Sequence, residues 1–197
     1  MTDQFDLLIN SYLENNVGID PGFLTEKLSA GLQQHILELE EDELLFSGGI
    51  GNEKVKNLQQ KMRGDKIYWM EKSHSNIFEK EFLQLAENFI DHLNQTCYTG
   101  INNYEFHYAV YDEGSFYKRH TDQFKTNDHR KFSLINYLNE NWEDEDGGEL
   151  VVYQNEMEQK IRPQSQTAVF FKSDSMEHEV TKTNRRRMSI TGWLKQE

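Results

Sequence analysis

Cysteine is nearly absent from this 197-residue sequence: Cys97 stands alone, which excludes an intramolecular disulfide framework and any site built on several thiolates. Proline is scarce too, with only Pro21 and Pro163, and no Gly/Pro/Ser-rich stretch marks a linker. No apolar run approaches the ~18 residues of a membrane span. The acidic opening Met1-Thr2-Asp3-Gln4-Phe5-Asp6 is unlike the basic start of a signal peptide. Positive charge is in deficit: 21 Lys and Arg face 34 Asp and Glu, a net charge of −13 with His neutral. That balance argues against nonspecific nucleic-acid binding, because nothing in it attracts phosphate. The expectation is one cytoplasmic domain over residues 1–197, with neither nucleic acid nor membrane as partner. At this length folding can bury roughly 70% of the unfolded chain's surface, enough for a sizeable core.

What is there changes character near residue 100. Up to that point, about 1–100, the pattern is mostly helical. Phe5, Leu7, Leu8, Ile9, Tyr12 and Leu13 repeat at helical spacing before Asn15-Asn16. Asp20-Pro21 reads as a helix start, the acid as N-cap and proline in the first turn, followed by a stripe from Phe23 to Leu39. A loop carries Gly48, Gly49 and Gly51, a short strand covers 66–70, and a third helix covers about 78–93. Beyond Gly100 the period becomes that of strands, at 103–111, 116–122, 130–138, 148–154, 157–162, 167–172, 178–182 and 186–195. The predicted fold is therefore α+β: a sandwich or jelly-roll β-core over about 101–195, braced by the N-terminal helices.

Seven histidines occur, and most have ordinary structural explanations. His35 and His92 fall within helix patterns, and His129 lies in a polar turn between Asp128 and Arg130. His120 differs, because Asp122 follows two residues on, and positions i and i+2 of a strand share a face. His178, opening a later strand, is the candidate third ligand. Two imidazoles and a carboxylate form the facial triad of non-haem Fe(II) oxygenases. A zinc hydrolase could use the same three ligands and a bound water. A fixed cation for a dicarboxylate cosubstrate separates the two, and the last strand supplies candidates. Alternation there puts Arg185, Arg187, Ser189, Thr191 and Trp193 on one face, with Arg186, Met188, Ile190 and Leu194 on the other. A guanidinium on the first face could grip a carboxylate bidentately. Periodicity does not choose between Arg185 and Arg187. The acidic run Glu140, Glu143, Asp144, Glu145, Asp146 and Glu149 lacks the ligand spacing of a calcium loop and reads as a solvated turn.

Six blocks in one order carry a resemblance over roughly residues 57–195. Arg63-Gly64-Asp65-Lys66-Ile67-Tyr68-Trp69-Met70-Glu71 comes first, then Tyr117-Lys118-Arg119-His120-Thr121-Asp122 and Tyr137-Leu138-Asn139-Glu140-Asn141-Trp142. Gly147-Gly148-Glu149-Leu150, His178-Glu179-Val180 and Arg187-Met188-Ser189-Ile190-Thr191-Gly192-Trp193 complete the set. Together they resemble the oxygen-sensing, hypoxia-inducible-factor-type prolyl hydroxylases and their bacterial relatives. The stretch Glu71-Lys72-Ser73-His74-Ser75-Asn76 departs from that family's substrate-covering loop, and the zinc-binding module of some animal members is absent.

The resemblance implies a double-stranded β-helix, Fe(II) held by His120, Asp122 and His178, and 2-oxoglutarate and O2 as cosubstrates, with ascorbate as a stimulant. It selects Arg187 as the partner of the distal 2-oxoglutarate carboxylate, alongside Tyr137. Leu150, Thr191 and Tyr111 match the wall of that cosubstrate site; Trp193 and Tyr117 match residues near the substrate mouth. The implied reaction is hydroxylation of a prolyl residue in a protein, releasing succinate and CO2. Bacterial members suggest a translation factor such as elongation factor Tu as the partner. A small-molecule hydroxylase, with Arg185 as a second cation, and a non-catalytic metal or 2-oxoglutarate sensor are the competing readings.

Overall fold

A computed structural model of the chain describes residues 2–48, 62–123 and 128–197. Gly49 and Gly51 of the glycine loop, and the first residues of the resembling stretch, lie outside them. The first helix, α1 (Thr2–Asn15), buries Phe5, Leu8 and Ile9 and stops at Asn16, whose φ of 58° leaves helical space. The chain then forms a strand not expected from the sequence, β1 (Val17–Asp20). Asp20-Pro21 is thus not a helix start. Asp20 closes β1, and its Oδ1 accepts from the Gly22 amide (2.9 Å) in a tight turn. The helix begins later, as α2 (Glu26–Glu41), with Thr25 Oγ1 accepting from the Leu28 amide as its N-cap. After β2 (Phe46–Ser47) and β3 (Asp65–Trp69) comes α3 (Ile77–Cys97), capped by Asn76 Oδ1 and ended by Tyr98 at φ 54°. No described helix is long and apolar enough to cross a membrane.

The eight strands expected beyond residue 100 all form, each within two residues of its expected ends. They are β4 (Asn103–Tyr111), β5 (Tyr117–His120), β6 (Arg130–Tyr137), β7 (Leu150–Gln154), β8 (Met157–Ile161), β9 (Ala168–Lys172), β10 (Glu177–Val180) and β11 (Arg187–Lys195). Every pairing among the described strands is antiparallel. One sheet has the order β1-β9-β6-β11-β4-β3-β2, and the other β5-β10-β7-β8.

The alternation of β11 sorts its side chains between two cores. Met188, Ile190 and Leu194 join the large cluster shared with the helices, which includes Leu32, Ile36, Phe82 and Phe89. Two smaller apolar clusters lie between the sheets, one around Ile135, Tyr137, Leu150 and Val169, the other around Ile67, Ala109, Tyr111 and Val180. Buried polar groups, among them Asp122, Ser133, His178, Arg187 and Ser189, occupy the same inter-sheet layer. The fold thus leaves one polar seam inside an apolar sandwich.

Gly192 is where β11 admits no side chain. A Cβ there would stand 2.0 Å from Phe106 Cδ1 and 2.5 Å from the Glu105 carbonyl oxygen. The Phe106 ring is itself held edge-on by Phe82 (5.1 Å) and cannot retreat without opening the helical core. Gly192→Ala is expected to cost about 1–3 kcal/mol, the usual range for overpacking. Urea unfolding checks this, and an unchanged midpoint would mean that Phe106 moves aside freely.

Candidate active site

His120 and His178 face each other across the β5–β10 pairing, where they are direct partners in register. Their ring centroids lie 4.3 Å apart. Each Nδ1 meets a backbone carbonyl, Lys118 O for His120 (2.7 Å) and Met176 O for His178 (3.0 Å). A carbonyl can only accept, so each Nδ1 carries a proton, and each ring turns its Nε2 inward. Both Nε2 atoms converge on Asp122, at 3.5 Å from Oδ1 for His120 and 3.6 Å from Oδ2 for His178. The three ligand atoms lie within 4.8 Å of one another, a group able to hold a metal ion.

Asp122 is not on the strand, contrary to the i, i+2 argument. β5 ends at His120, and Asp122 sits on the bend beyond it. Its orientation comes from contacts across the seam instead. Ser133 Oγ donates to Asp122 Oδ2 (2.6 Å), Arg130 Nη1 donates to the Asp122 carbonyl (3.2 Å), and the next amide, Gln123, donates to Ser173 O. Burial opposes ionisation of this carboxyl, but His178, His120 and the Ser133 hydroxyl outweigh it and hold its pKa below the ordinary value. Burial also holds His178 below its ordinary value, against the pull of Asp122.

Arg187 opens β11 in the same seam, 2% exposed. Its Nε donates to Gly148 O (2.9 Å) and its Nη1 to Ser189 Oγ (3.4 Å). The guanidinium carbon lies 5.0 Å from the Tyr111 ring centroid and 5.1 Å from that of Tyr137. Among the described residues no carboxylate forms an ion pair with it. The Tyr137 hydroxyl is enclosed beside it without a hydrogen-bond partner among those residues, and burial, opposed by Arg187, pushes its pKa up to about 12. The Gly147-Gly148 turn explains how a carbonyl reaches Arg187. Both glycines have positive φ (62° and 64°), and a Cβ on Gly147 would meet Lys182 O at 2.4 Å. Asn139 and Trp142 serve the same corner: Asn139 Oδ1 accepts from the Met188 amide, and Trp142 Nε1 donates to Gly147 O.

The cavity has two chambers. The inner is narrow, about 30 Å³, and its wall includes His120, Asp122, His178 and Arg187 together with Tyr111, Leu150, Thr191 and Trp193. The outer holds about 340 Å³, and its wall includes Phe46, Ile67 and Trp69. Arg63, His107, Tyr117, His120, Asp122 and Trp193 wall both. Tyr137 meets this wall through Arg187, whose guanidinium lies over its ring.

Arg185 lies elsewhere. It precedes β11, where strand alternation does not yet apply, and is pinned to Asp146 Oδ2 (2.9 Å), Asn141 O and Glu140 O. The acidic run is accordingly tied down by Arg185 at Asp146 and by Arg162 at Asp144. Arg186 faces Glu40 of α2. His129 is exposed, with its Nδ1 on Gln196 O, and His92 pairs with Asp6. His35 and His74 bracket the buried Glu79. Residues that periodicity does not single out also meet here: Ser133, His107 and Arg63. Arg63 pairs with the buried Asp65, giving the Arg-Gly-Asp block a structural reason, and covers the Tyr117 ring at 4.5 Å.

Residues 106–195 match the family model of the 2OG-Fe(II) oxygenase superfamily, the stretch that holds all three triad residues and Arg187. The chain carries a 2OG-Fe(II) oxygenase domain. Solved structures agree in fold over nearly the whole chain. A prolyl-4-hydroxylase of Pseudomonas putida superposes with a TM-score of 0.88 at 26% identity, covering 98% of this chain and 99% of the other. A prolyl hydroxylase of Trichoplax adhaerens, solved with a hypoxia-inducible-factor peptide, gives 0.87 at 27% identity, covering 99% and 90%. At 11% identity, the α-ketoglutarate-dependent epimerase SnoN from nogalamycin biosynthesis gives 0.67, covering 98% and 83%, a likeness of fold alone. The chain is a 2-oxoglutarate-dependent dioxygenase, with the jelly-roll core expected of one.

Ser133 orients the one carboxylate of the His-Asp-His group. Ser133→Ala is expected to weaken Fe(II) binding about 10- to 100-fold, the usual effect of removing a group that orients a ligand. Anaerobic titration with Fe(II) measures this. Unchanged affinity would leave Arg130 and the strand pairing as the sole positioning forces.

Proposed function

We propose that this dioxygenase hydroxylates a prolyl residue of a protein substrate, with residues 1–197 acting as one catalytic unit. One observation carries the reading: a fully buried guanidinium, Arg187, with no carboxylate partner among the described residues, stands beside an unsatisfied Tyr137 hydroxyl and the His-Asp-His group. The donor set fits the groups the family implies. Two inward-facing Nε2 atoms and one carboxylate suit Fe(II) on one face, leaving positions open. Arg187 and Tyr137 suit the distal carboxylate of 2-oxoglutarate, which would restore charge balance to the seam.

In this assignment His120, Asp122 and His178 hold the iron. Arg187 and Tyr137 anchor the cosubstrate, and Tyr111, Leu150, Thr191 and Trp193 confine it. Bound Fe(II) and 2-oxoglutarate supply the O2-dependent decarboxylation, to succinate and CO2, that places one oxygen atom on the substrate carbon. The chain's own work is orientation and exclusion of water.

Two relatives above 25% identity are named as prolyl hydroxylases, and one was solved with a peptide bound. The outer chamber suits such a substrate, since Phe46, Ile67, Trp69, Tyr117 and Trp193 offer apolar surface to a pyrrolidine ring. A small acid would need a second cation in the chamber. Arg185 is committed to the 140–146 turn, and Arg63 to Asp65. The substrate we favour is a cytoplasmic translation factor such as elongation factor Tu, with ascorbate as a stimulant of turnover. Mass spectrometry of proteins from cells with and without the enzyme tests the substrate class; absence of any prolyl residue gaining one oxygen would refute it.

The cosubstrate assignment has a sharper test. Losing one partner of a buried charge pair costs about 3–5 kcal/mol. At 1.4 kcal/mol per tenfold, Arg187→Ala should weaken 2-oxoglutarate binding roughly 10²- to several 10³-fold. Arg187→Lys keeps the charge but loses the fork, and should fall between. Arg185→Ala and Arg186→Ala should change the affinity little. Titrating 2-oxoglutarate into each variant saturated with metal gives the order; a mild Arg187→Ala overturns the assignment. Asp122→Ala should abolish turnover, because the metal loses its only charged protein ligand, and measurable hydroxylation by that variant would remove Asp122 from the set.

A further inference from the structure

His107 is a polar residue where an apolar one would serve the wall more cheaply. It lies on β4 with Ala109 and Tyr111, whose side chains share its face of the strand, and it is 2% exposed. Its ring is stacked on Trp193 (centroids 5.3 Å, 29° between planes) and tilted against Trp69 (4.9 Å, 55°). Only ring edges are left for a directed contact. Nδ1 is enclosed without a hydrogen-bond partner among the described residues. The nearby cations are otherwise engaged, Arg63 with Asp65 and Arg130 with Glu105. Burial, reinforced by Arg63 and Arg130, lowers the imidazole pKa to about 3, so it enters the chemistry neutral, with one donor and one acceptor. A buried polar atom without a partner is destabilising, and methionine or leucine would fill the space without that penalty.

The position of His107 indicates what could supply the partner. It walls both chambers, so it stands where the outer chamber adjoins the one that holds the triad. The cosubstrate's distal carboxylate is assigned to Arg187 and Tyr137, and its other end to the metal. What must pass the Trp69–His107–Trp193 wall is the substrate chain, which carries both amide donors and carbonyl acceptors. We propose that His107 is a substrate-positioning and specificity-determining residue, its imidazole hydrogen-bonding the peptide backbone beside the target residue. The proposal rests on the prolyl-hydroxylase reading and names the contact by which that site holds its peptide.

The test uses the full chain, with His107→Leu removing both hydrogen-bonding atoms and His107→Gln restoring a donor and an acceptor. His107→Met replaces the leucine variant if that one fails to fold. The probe is the proline-containing peptide on which the wild type releases most succinate. Calorimetry on protein loaded with Mn(II) in place of iron, without O2, gives the 2-oxoglutarate and peptide affinities separately. Loss of one hydrogen bond should weaken the peptide about 5- to 20-fold in His107→Leu. The 2-oxoglutarate affinity should stay within about twofold, and His107→Gln should recover most of the loss. In turnover with Fe(II), His107→Leu should raise the peptide KM more than it lowers kcat, and should raise the succinate released per hydroxylated peptide. Equal losses for peptide and 2-oxoglutarate would overturn the proposal, as would an unchanged peptide affinity or a glutamine variant no better than leucine. A wild type that releases succinate but modifies no prolyl peptide would instead refute the substrate class itself, and the proposal with it.

Discussion

The constraint on which the site turns is the burial of Arg187. A guanidinium cannot shed its proton inside a protein, so charge stays wherever the chain places it. Here it lies between two sheets, against two tyrosine rings, with a carbonyl and a hydroxyl as its neutral acceptors among the described residues. Neutral acceptors relieve part of the desolvation cost but do not cancel the charge. Much of the surrounding structure makes this placement possible. The Gly147-Gly148 turn delivers a carbonyl, Asn139 fixes the start of β11, and Trp142 braces the turn. The site is thus built to be completed by an anion.

β11 carries the placement because it is central. It pairs with β4 on one side and β6 on the other, so both its edges are hydrogen-bonded, and its register cannot slip by one residue without moving every side chain to the wrong face. One face supplies Met188, Ile190 and Leu194 to the helical core. The other supplies Arg187, Thr191 and Trp193 to the cavity wall. Stability and function therefore share one strand, each using alternate residues. The metal-binding group depends on the second sheet, whose β5–β10 register brings His120 and His178 together. Asp122 is the join, since it follows β5 yet is held by Ser133 of β6.

How much of this is legible in the sequence follows from the physical range of each signal. Strand and helix periods are local, and the eight late strands and the helical first half can be read from them. The alternation of β11 is readable too, but only from Arg187 onward; Arg185 lies before the strand, where a contact with Asp146 decides its direction instead. β1 escapes such a reading because Asp20-Pro21 resembles a helix cap, and the pairing of Val17–Asp20 with β9 is a contact across some 150 residues of chain. Asp122 is misplaced by periodicity for a related reason, since its contacts with Ser133 and Arg130 set its place and the strand has already ended. His107 carries no local mark at all: a single histidine among Phe106, Tyr108 and Val110 reads as core, and only the apposition of Trp69 and Trp193 makes it part of a mouth.

The overall charge of −13 is at odds with a site that must admit a dianion, and the structure resolves the conflict locally. At physiological ionic strength exposed charges are screened over about 8 Å, so most of the acidic surface is weakly felt inside the cavity. Three arginines stand near the route inward, and they are not equivalent. Arg63 is neutralised by Asp65 and Arg130 by Glu105, which fixes both as walls, Arg130 lying 3.5 Å from the Trp193 ring centroid. Asp122 offsets part of the charge that a divalent metal would bring. Arg187 alone of the three lacks a carboxylate among the described residues, and it is also the deepest. The charge pattern of the cavity is therefore a gradient of compensation, balanced at the opening and unbalanced at the end, which draws an anion inward past the histidines instead of holding it at the mouth.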